Sequence, residues 1–287
     1  MPTWRNHSED PRTTDELIRV ALTELDLSDE EYGSATAALV ALQFRPTREV
    51  LERASGLCRS ATVDERRLGV RVLAESRDLE DVGAALPAFV AESMEVLLGL
   101  AGTERDGKVL VEVARAFGYR KDPRGAEPLL GWRDDPDDAM RFFVACSLPR
   151  CRSADNEERV IGALIELTDD EDDQVRDYAL FGLRELEVDR DDVRDAMLRR
   201  VRDPDSSVAG EALHGLAMLR DERGIEPLTE YLRDAPPGRA FSYGLYAATA
   251  YADPRLLPSL RVLEERHGKR PALREAIQAC ADVTDAT

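Results

Sequence analysis

The chain has 287 residues and a formal net charge of −19, with 43% hydrophobic but only 6% aromatic residues. So acidic a field lacks the Lys and Arg that displace phosphate counterions, which argues against nucleic-acid binding. No apolar run reaches the length of a signal peptide or a membrane span, and four scattered cysteines (Cys58, Cys146, Cys151, Cys280) point to reduced thiols and a cytoplasmic protein rather than a disulfide framework.

Residues 1–12 are polar and read as a flexible N-terminus. Thr13-x-x-Glu16 and Ser28-x-x-Glu31 are capping-box patterns ahead of the apolar series Leu17, Val20, Ala21, Leu25 and Ala35, Ala38, Leu39, Leu42. Pro46-Thr47-Arg48-Glu49 opens another helix carrying Val50, Leu51, Ala54 and Leu57. Asp64-Glu65-Arg66 leads into Gly69, Val70 and Leu73, and the stretch Leu79 to Gly102 that follows is longer than one helix of a pair requires, with Pro87 dividing it. Glu104 to Tyr119 supplies the next helix.

From there the chain repeats itself. Asp122-Pro123-Arg124-Gly125-Ala126-Glu127-Pro128-Leu129 returns as Asp221-Glu222-Arg223-Gly224-Ile225-Glu226-Pro227-Leu228, 99 residues later, and again at Asp253-Pro254-Arg255 after another 32. Val175, Ala179, Leu180, Leu183 and Leu186 fall on Val208, Ala212, Leu213, Leu216 and Leu219 at a constant offset of 33. Met140, Val144 and Leu148 precede Val175, Ala179 and Leu183 by 35. A period near this value marks helix pairs that bury their apolar faces only by stacking. The fold expected is all-α, an α-α superhelix of about seven to eight pairs over residues 13–282, closed by Leu273, Ala276, Ile277 and Cys280 and followed by a tail at 283–287.

The unit spanning Asp122 to Ala145 resembles the bacterial HEAT repeat, in the subtype also called the PBS lyase HEAT-like repeat, and the likeness extends over about residues 30–280. Small proteins of this kind have no assigned activity. The resemblance implies protein–protein binding, with the second helix of each pair lining the concave side. Glu65 departs from the pattern, standing where an aliphatic residue is expected, as does the overlong 79–102 segment.

No motif carries enzyme chemistry. The acidic clusters at Asp134–Asp138, Asp169–Asp173 and Asp189–Asp192 lack the alternating ligands and glycine of a calcium loop and sit where helices begin, so capping accounts for them. His7, His214 and His267 are followed by Ser8, Gly215 and Gly268, so the His-Glu ligand pairs of the related iron enzyme deoxyhypusine hydroxylase are missing. His214 aligns with Phe181 and Cys146 and reads as a packing column. Trp132 beside Asp134 superficially matches the site of the HEAT-like alkylpurine DNA glycosylases, but within the wrong electrostatic field: residues 134–205 hold 22 acidic and 11 basic side chains.

The reading is a non-enzymatic scaffold or inhibitor, in one version an immunity-type protein, that binds a basic protein or peptide on an acidic concave surface formed near 123–133, 156–168, 190–202 and 222–233. No cofactor, metal, nucleic acid or membrane enters it. Trp132, Arg133, Tyr178, Arg199 and Tyr231 are the candidate partner contacts, because an exposed aromatic or arginine anchors an interface well. The alternatives are a chaperone-like or lyase-like accessory for a small chromophore, and a DNA-binding repair protein.

Overall fold

Oxygen-bearing side chains one residue ahead of the apolar series set many of the helix starts, at Thr13, Thr47, Asp106, Asp137, Asp172 and Asp205. A computed structural model describes residues 10–25, 37–79, 85–234 and 238–282. Thr13 opens α1 (Thr14–Thr23) with a full capping box: the Glu16 backbone N–H donates to its hydroxyl at 3.3 Å, and the Thr13 N–H donates back to the Glu16 carboxylate at 2.8 Å. The second predicted box, at Ser28 and Glu31, lies outside the described residues. Then follow α2 (Ala37–Gln43), α3 (Arg48–Leu57, capped by Thr47) and α4 (Val63–Glu75).

The overlong segment resolves into two parts. Arg77–Leu79 (β1) and Ala85–Pro87 (β2) pair antiparallel, Arg77 opposite Pro87, and α5 begins only at Val90 and ends at Thr103. Proline suits a strand end but not a helix interior. The base of the hairpin is tied by the Ala88 N–H donating to the Ser76 carbonyl, and Arg120 donates to the carbonyls of both residues. Glu65 is absorbed at the start of α4, where its carboxylate accepts from the Ser60 hydroxyl.

Further on come α6 (Gly107–Arg120), a 3₁₀ turn at Pro123–Gly125 running into α7 (Ala126–Gly131), α8 (Asp138–Ser147), α9 (Glu157–Leu167), α10 (Asp173–Glu185), α11 (Asp191–Arg200), α12 (Ser206–Met218), α13 (Ile225–Asp234), α14 (Arg239–Tyr251), α15 (Leu257–His267) and α16 (Pro271–Asp282). The chain divides into two compact units, Met1–Asn156 and Glu157–Thr287. In the second unit α10, α12, α14 and α16 form one layer of first helices, and α9, α11, α13 and α15 form the layer of second helices. The core between them is aliphatic: Val175, Ala179, Leu180, Val208, Ala212, Leu213, Leu228, Leu232 and Leu260 are fully buried. Leu273, Ala276 and Cys280 of α16 close this core, while Arg274, Glu275 and Gln278 face solvent, as an end cap requires.

Within each unit, successive first helices touch along their lengths, whereas successive second helices touch over a few residues. The residues explain the spacing. A Cβ on Gly210 of α12 would sit 2.8 Å from the Tyr243 Cβ of α14 and 2.5 Å from the Tyr231 hydroxyl, so only glycine lets these helices approach so closely.

Gly210→Ala should accordingly lower stability by about 1–3 kcal/mol through overpacking. Gly162→Ala, in α9 where a Cβ meets nothing within 4 Å, should instead raise it by about 0.5–1 kcal/mol by restricting the unfolded chain. Calorimetric melting of the two variants beside the parent checks the opposed signs.

Candidate partner-binding surfaces

Two of the three acidic clusters are helix caps, arranged in nested pairs; in the third, Asp189–Asp192, the N-cap of α11 is Arg190 without a side-chain cap, and Asp189 and Asp192 pair instead with Arg194 and Arg190. Asp170 accepts from the Asp172 N–H at 2.9 Å, and Asp172 accepts from the Val175 N–H at 3.0 Å to start α10. Asp135 and Asp137 do the same for α8 at 2.9 and 3.0 Å. An arginine on the first turn of a first helix then links neighbouring pairs. Arg176 donates to the carbonyls of Asp170 and Glu171 behind it, and forward to both oxygens of Asp203 at 3.0 and 2.8 Å. Asp203 in turn holds the N–H of Asp205, the cap of α12. Arg66 repeats this arrangement in the first unit, with the Ser60 and Ala61 carbonyls behind and Glu104 ahead at 2.7 Å.

The repeated Asp-x-Arg motif forms a second kind of clip. Each aspartate accepts from the backbone N–H and the guanidinium of its own arginine, at Asp122, Asp221 and Asp253. The outer arm of the arginine then reaches a carboxylate of the preceding pair: Arg124 to Glu95 at 2.6 Å, Arg223 to Asp195 at 2.9 Å and Arg255 to Glu222 at 3.6 Å. The Arg223 hydrogen bond pulls Asp221 down to about 2 against the opposing effect of burial.

The predicted contact residues do not converge. Trp132, half-buried, stacks on the buried Phe117 with centroids 6.3 Å apart, and Arg133 donates to the Leu130 carbonyl at 2.9 Å beside Asp134. Arg199, on the second-helix face, pairs with Asp169 at 3.3 Å. Tyr231 fills the space between layers: its hydroxyl donates to the Ser206 carbonyl at 2.8 Å, and burial raises its pKa. Of the five, only Tyr178 lies on a first helix, α10, half-buried against Phe181 at 6.1 Å.

The two faces of residues 157–282 differ chemically. The second-helix face is charged, with Glu158, Glu230 and Asp195 paired to Arg190, Arg202 and Arg223. The first-helix face is aromatic. Phe181, His214, Met218 and Tyr246 lie across α10, α12 and α14, and Met218 and Tyr246 are 50% and 52% exposed. His214 contacts the Tyr246 ring at 5.8 Å; burial, then the nearby Arg184, push its pKa down to about 4, so the imidazole is neutral at physiological pH. Residues 240–251, which include Tyr246, contain no charged side chain in a chain that is 34% charged.

Cys58 and Cys151 are buried and their thiols pushed up to about 12, which leaves no reactive thiolate there. Among the described residues no cluster of three or more His, Cys, Asp or Glu is placed to hold a metal ion, and no helix is long and apolar enough to cross a membrane.

A protein-family profile described as HEAT repeats matches residues 161–241. Residues 161–241 are thus built of HEAT repeats. Protein YibA of Escherichia coli K12 is 27% identical over 122 residues, 42% of this chain and 42% of that protein, so the matched stretch spans under half of that curated relative. The X-ray structure of E. coli YibA superposes with a TM-score of 0.69 at 19% identity, over 96% of this chain and 94% of that one. The CpcE–CpcF complex of phycocyanin lyase from Nostoc aligns at a TM-score of 0.50 and 16% identity, over 80% of this chain and 92% of that one. At these identities the superpositions show the fold alone.

The arginine clamp has a definite pH signature. Asp203 has a fully buried side chain; desolvation raises its pKa, but the Arg176 and Asp205 hydrogen bonds outweigh this and the net shift is downward. A depressed carboxylate contributes stability above its unfolded value, near 3.9, that is lost as pH falls through the folded value. Asp203→Asn should cost about 3 kcal/mol at neutral pH. Denaturant melts should show the difference from the parent shrinking below pH about 4.

Proposed function

We propose that the chain is a non-enzymatic, cytoplasmic scaffold that holds a basic protein or peptide. One observation carries the reading. Between residues 157 and 282 there are 28 acidic and 18 basic side chains, and the arginines are largely spent inside the fold. Arg176, Arg184, Arg190, Arg194, Arg200, Arg202 and Arg223 each pair with a carboxylate of the same chain. What an approaching partner meets is the remainder, exposed carboxylates such as Asp173, Glu187, Asp191, Glu226 and Glu265.

A preformed stack offers such a field without ordering cost on the scaffold's side, and the field speeds encounter with a positively charged partner. The superposition on a complex of two lyase chains supports a scaffold only at the level of fold.

Affinity capture from native lysate, with prey identified by mass spectrometry, tests the reading. A specific basic protein should be retained at low salt and released near 1 M salt, where the screening length falls to about 3 Å. Retention of duplex DNA at physiological salt, or an absence of prey at every salt concentration, would sink it.

A further inference from the structure

The arginine clamps of the two units share a register, and at one place the residues around them differ. In the second unit Asp169, the residue before the two carbonyls that Arg176 grips, is bridged by Arg199 and Arg200 of α11, which stand four and three residues before the clamp carboxylate Asp203. In the first unit the same count around the Arg66–Glu104 clamp puts Arg59 in the place of Asp169, and Leu100 and Ala101 of α5 in the places of the two arginines. Charge is inverted on one side and removed on the other. Among the described residues the Arg59 side chain has no hydrogen-bond or ion-pair partner.

A cavity of about 550 Å³ opens here, a size typical of small-molecule sites. Val96 and Leu100, both half-buried, and Gly99 form its α5 wall, and a Cβ on Gly99 would meet nothing within 4 Å. Glycine weakens a helix interior, and no packing contact requires one at this position, so its effect is to leave bare backbone beside the cavity. The other polar groups of the lining are engaged: Arg66 with Glu104, Glu95 with Arg124, the Ser60 hydroxyl with Glu65 and the Thr103 hydroxyl with the Gly99 carbonyl. What remains for a ligand is one exposed guanidinium beside an apolar wall.

A guanidinium takes a carboxylate through two parallel N–H···O bonds, and an aliphatic body on that carboxylate gains by leaving water for Val96 and Leu100. The net charge of −19 opposes an anion at a distance, but at about 0.15 M salt that field is screened beyond about 8 Å, so recognition rests on the local pair. We propose that this cavity binds a small organic monocarboxylate with an apolar body, its carboxylate on Arg59 and its body along Val96, Gly99 and Leu100. The proposal concerns residues 58–104 and is independent of the basic-partner reading.

Ligand-detected NMR titration of the full chain with octanoate tests it, with octylamine and 1-octanol as probes of equal length. Octanoate should bind the parent chain, and the two other probes should bind at least about tenfold more weakly. Arg59→Gln, at an exposed position, should weaken octanoate about tenfold or more, whereas Arg261→Gln, exposed on α15, should leave it within about twofold. Gly99→Leu should abolish binding by filling the cavity while raising the melting temperature of the ligand-free chain, since leucine favours the helix. That rise separates occlusion from misfolding. No binding of octanoate to the parent, equal binding of the three probes, or an octanoate affinity unmoved by Arg59→Gln and Gly99→Leu would overturn the proposal and leave the basic-partner reading untouched.

Discussion

A helix pair of some 33 residues has no interior of its own; everything else in the structure depends on the contact between one first helix and the next. That contact is unusually close where Gly210 of α12 meets Tyr243 of α14. Small residues set this spacing, and with it which side chains of successive pairs can meet. Were Gly210 a valine, its side chain would collide with Tyr243 and force α12 and α14 apart.

Charge has two separate duties in this chain. Most arginines act within the fold, each joining the cap of one pair to the loop or helix of another, as Arg176 does through Asp170 and Asp203. The exposed clips, such as Arg255 with Glu222, add little individually because water and salt screen them. The buried ones matter more through what their loss would leave behind: Asp203 without Arg176 is a desolvated carboxylate short of donors. Since arginine is the residue consumed in these roles, a high arginine count is compatible with a strongly acidic exterior.

Local signals carried much of the fold. The Thr13 cap, the Asp-x-Arg starts at 122, 221 and 253 and the 33-residue offset are all decided within a few positions, so their hydrogen bonds follow from the pattern. The hairpin was not readable beyond the interruption at Pro87, because its base is fixed by Arg120, 32 and 44 residues away from the carbonyls it bonds. Tyr231 looked like a surface anchor because nothing nearby in sequence shows that its hydroxyl is used by Ser206, 25 residues earlier. The first-helix face had a local sign in the uncharged run through α14.

The arginine hooks also bear on how the chain folds. Among the described side-chain hydrogen bonds, the longest reach in sequence is 46 residues, from Arg71 to Leu25, and most inter-pair links span about one repeat. In a chain of 287 residues such links are local, and local contacts favour rapid folding. A newly made pair finds its packing and hydrogen-bonding partners in chain already synthesised, or in the next few dozen residues. Structure can thus grow from the N-terminal side as the ribosome advances, with no step waiting for the far end of the polypeptide.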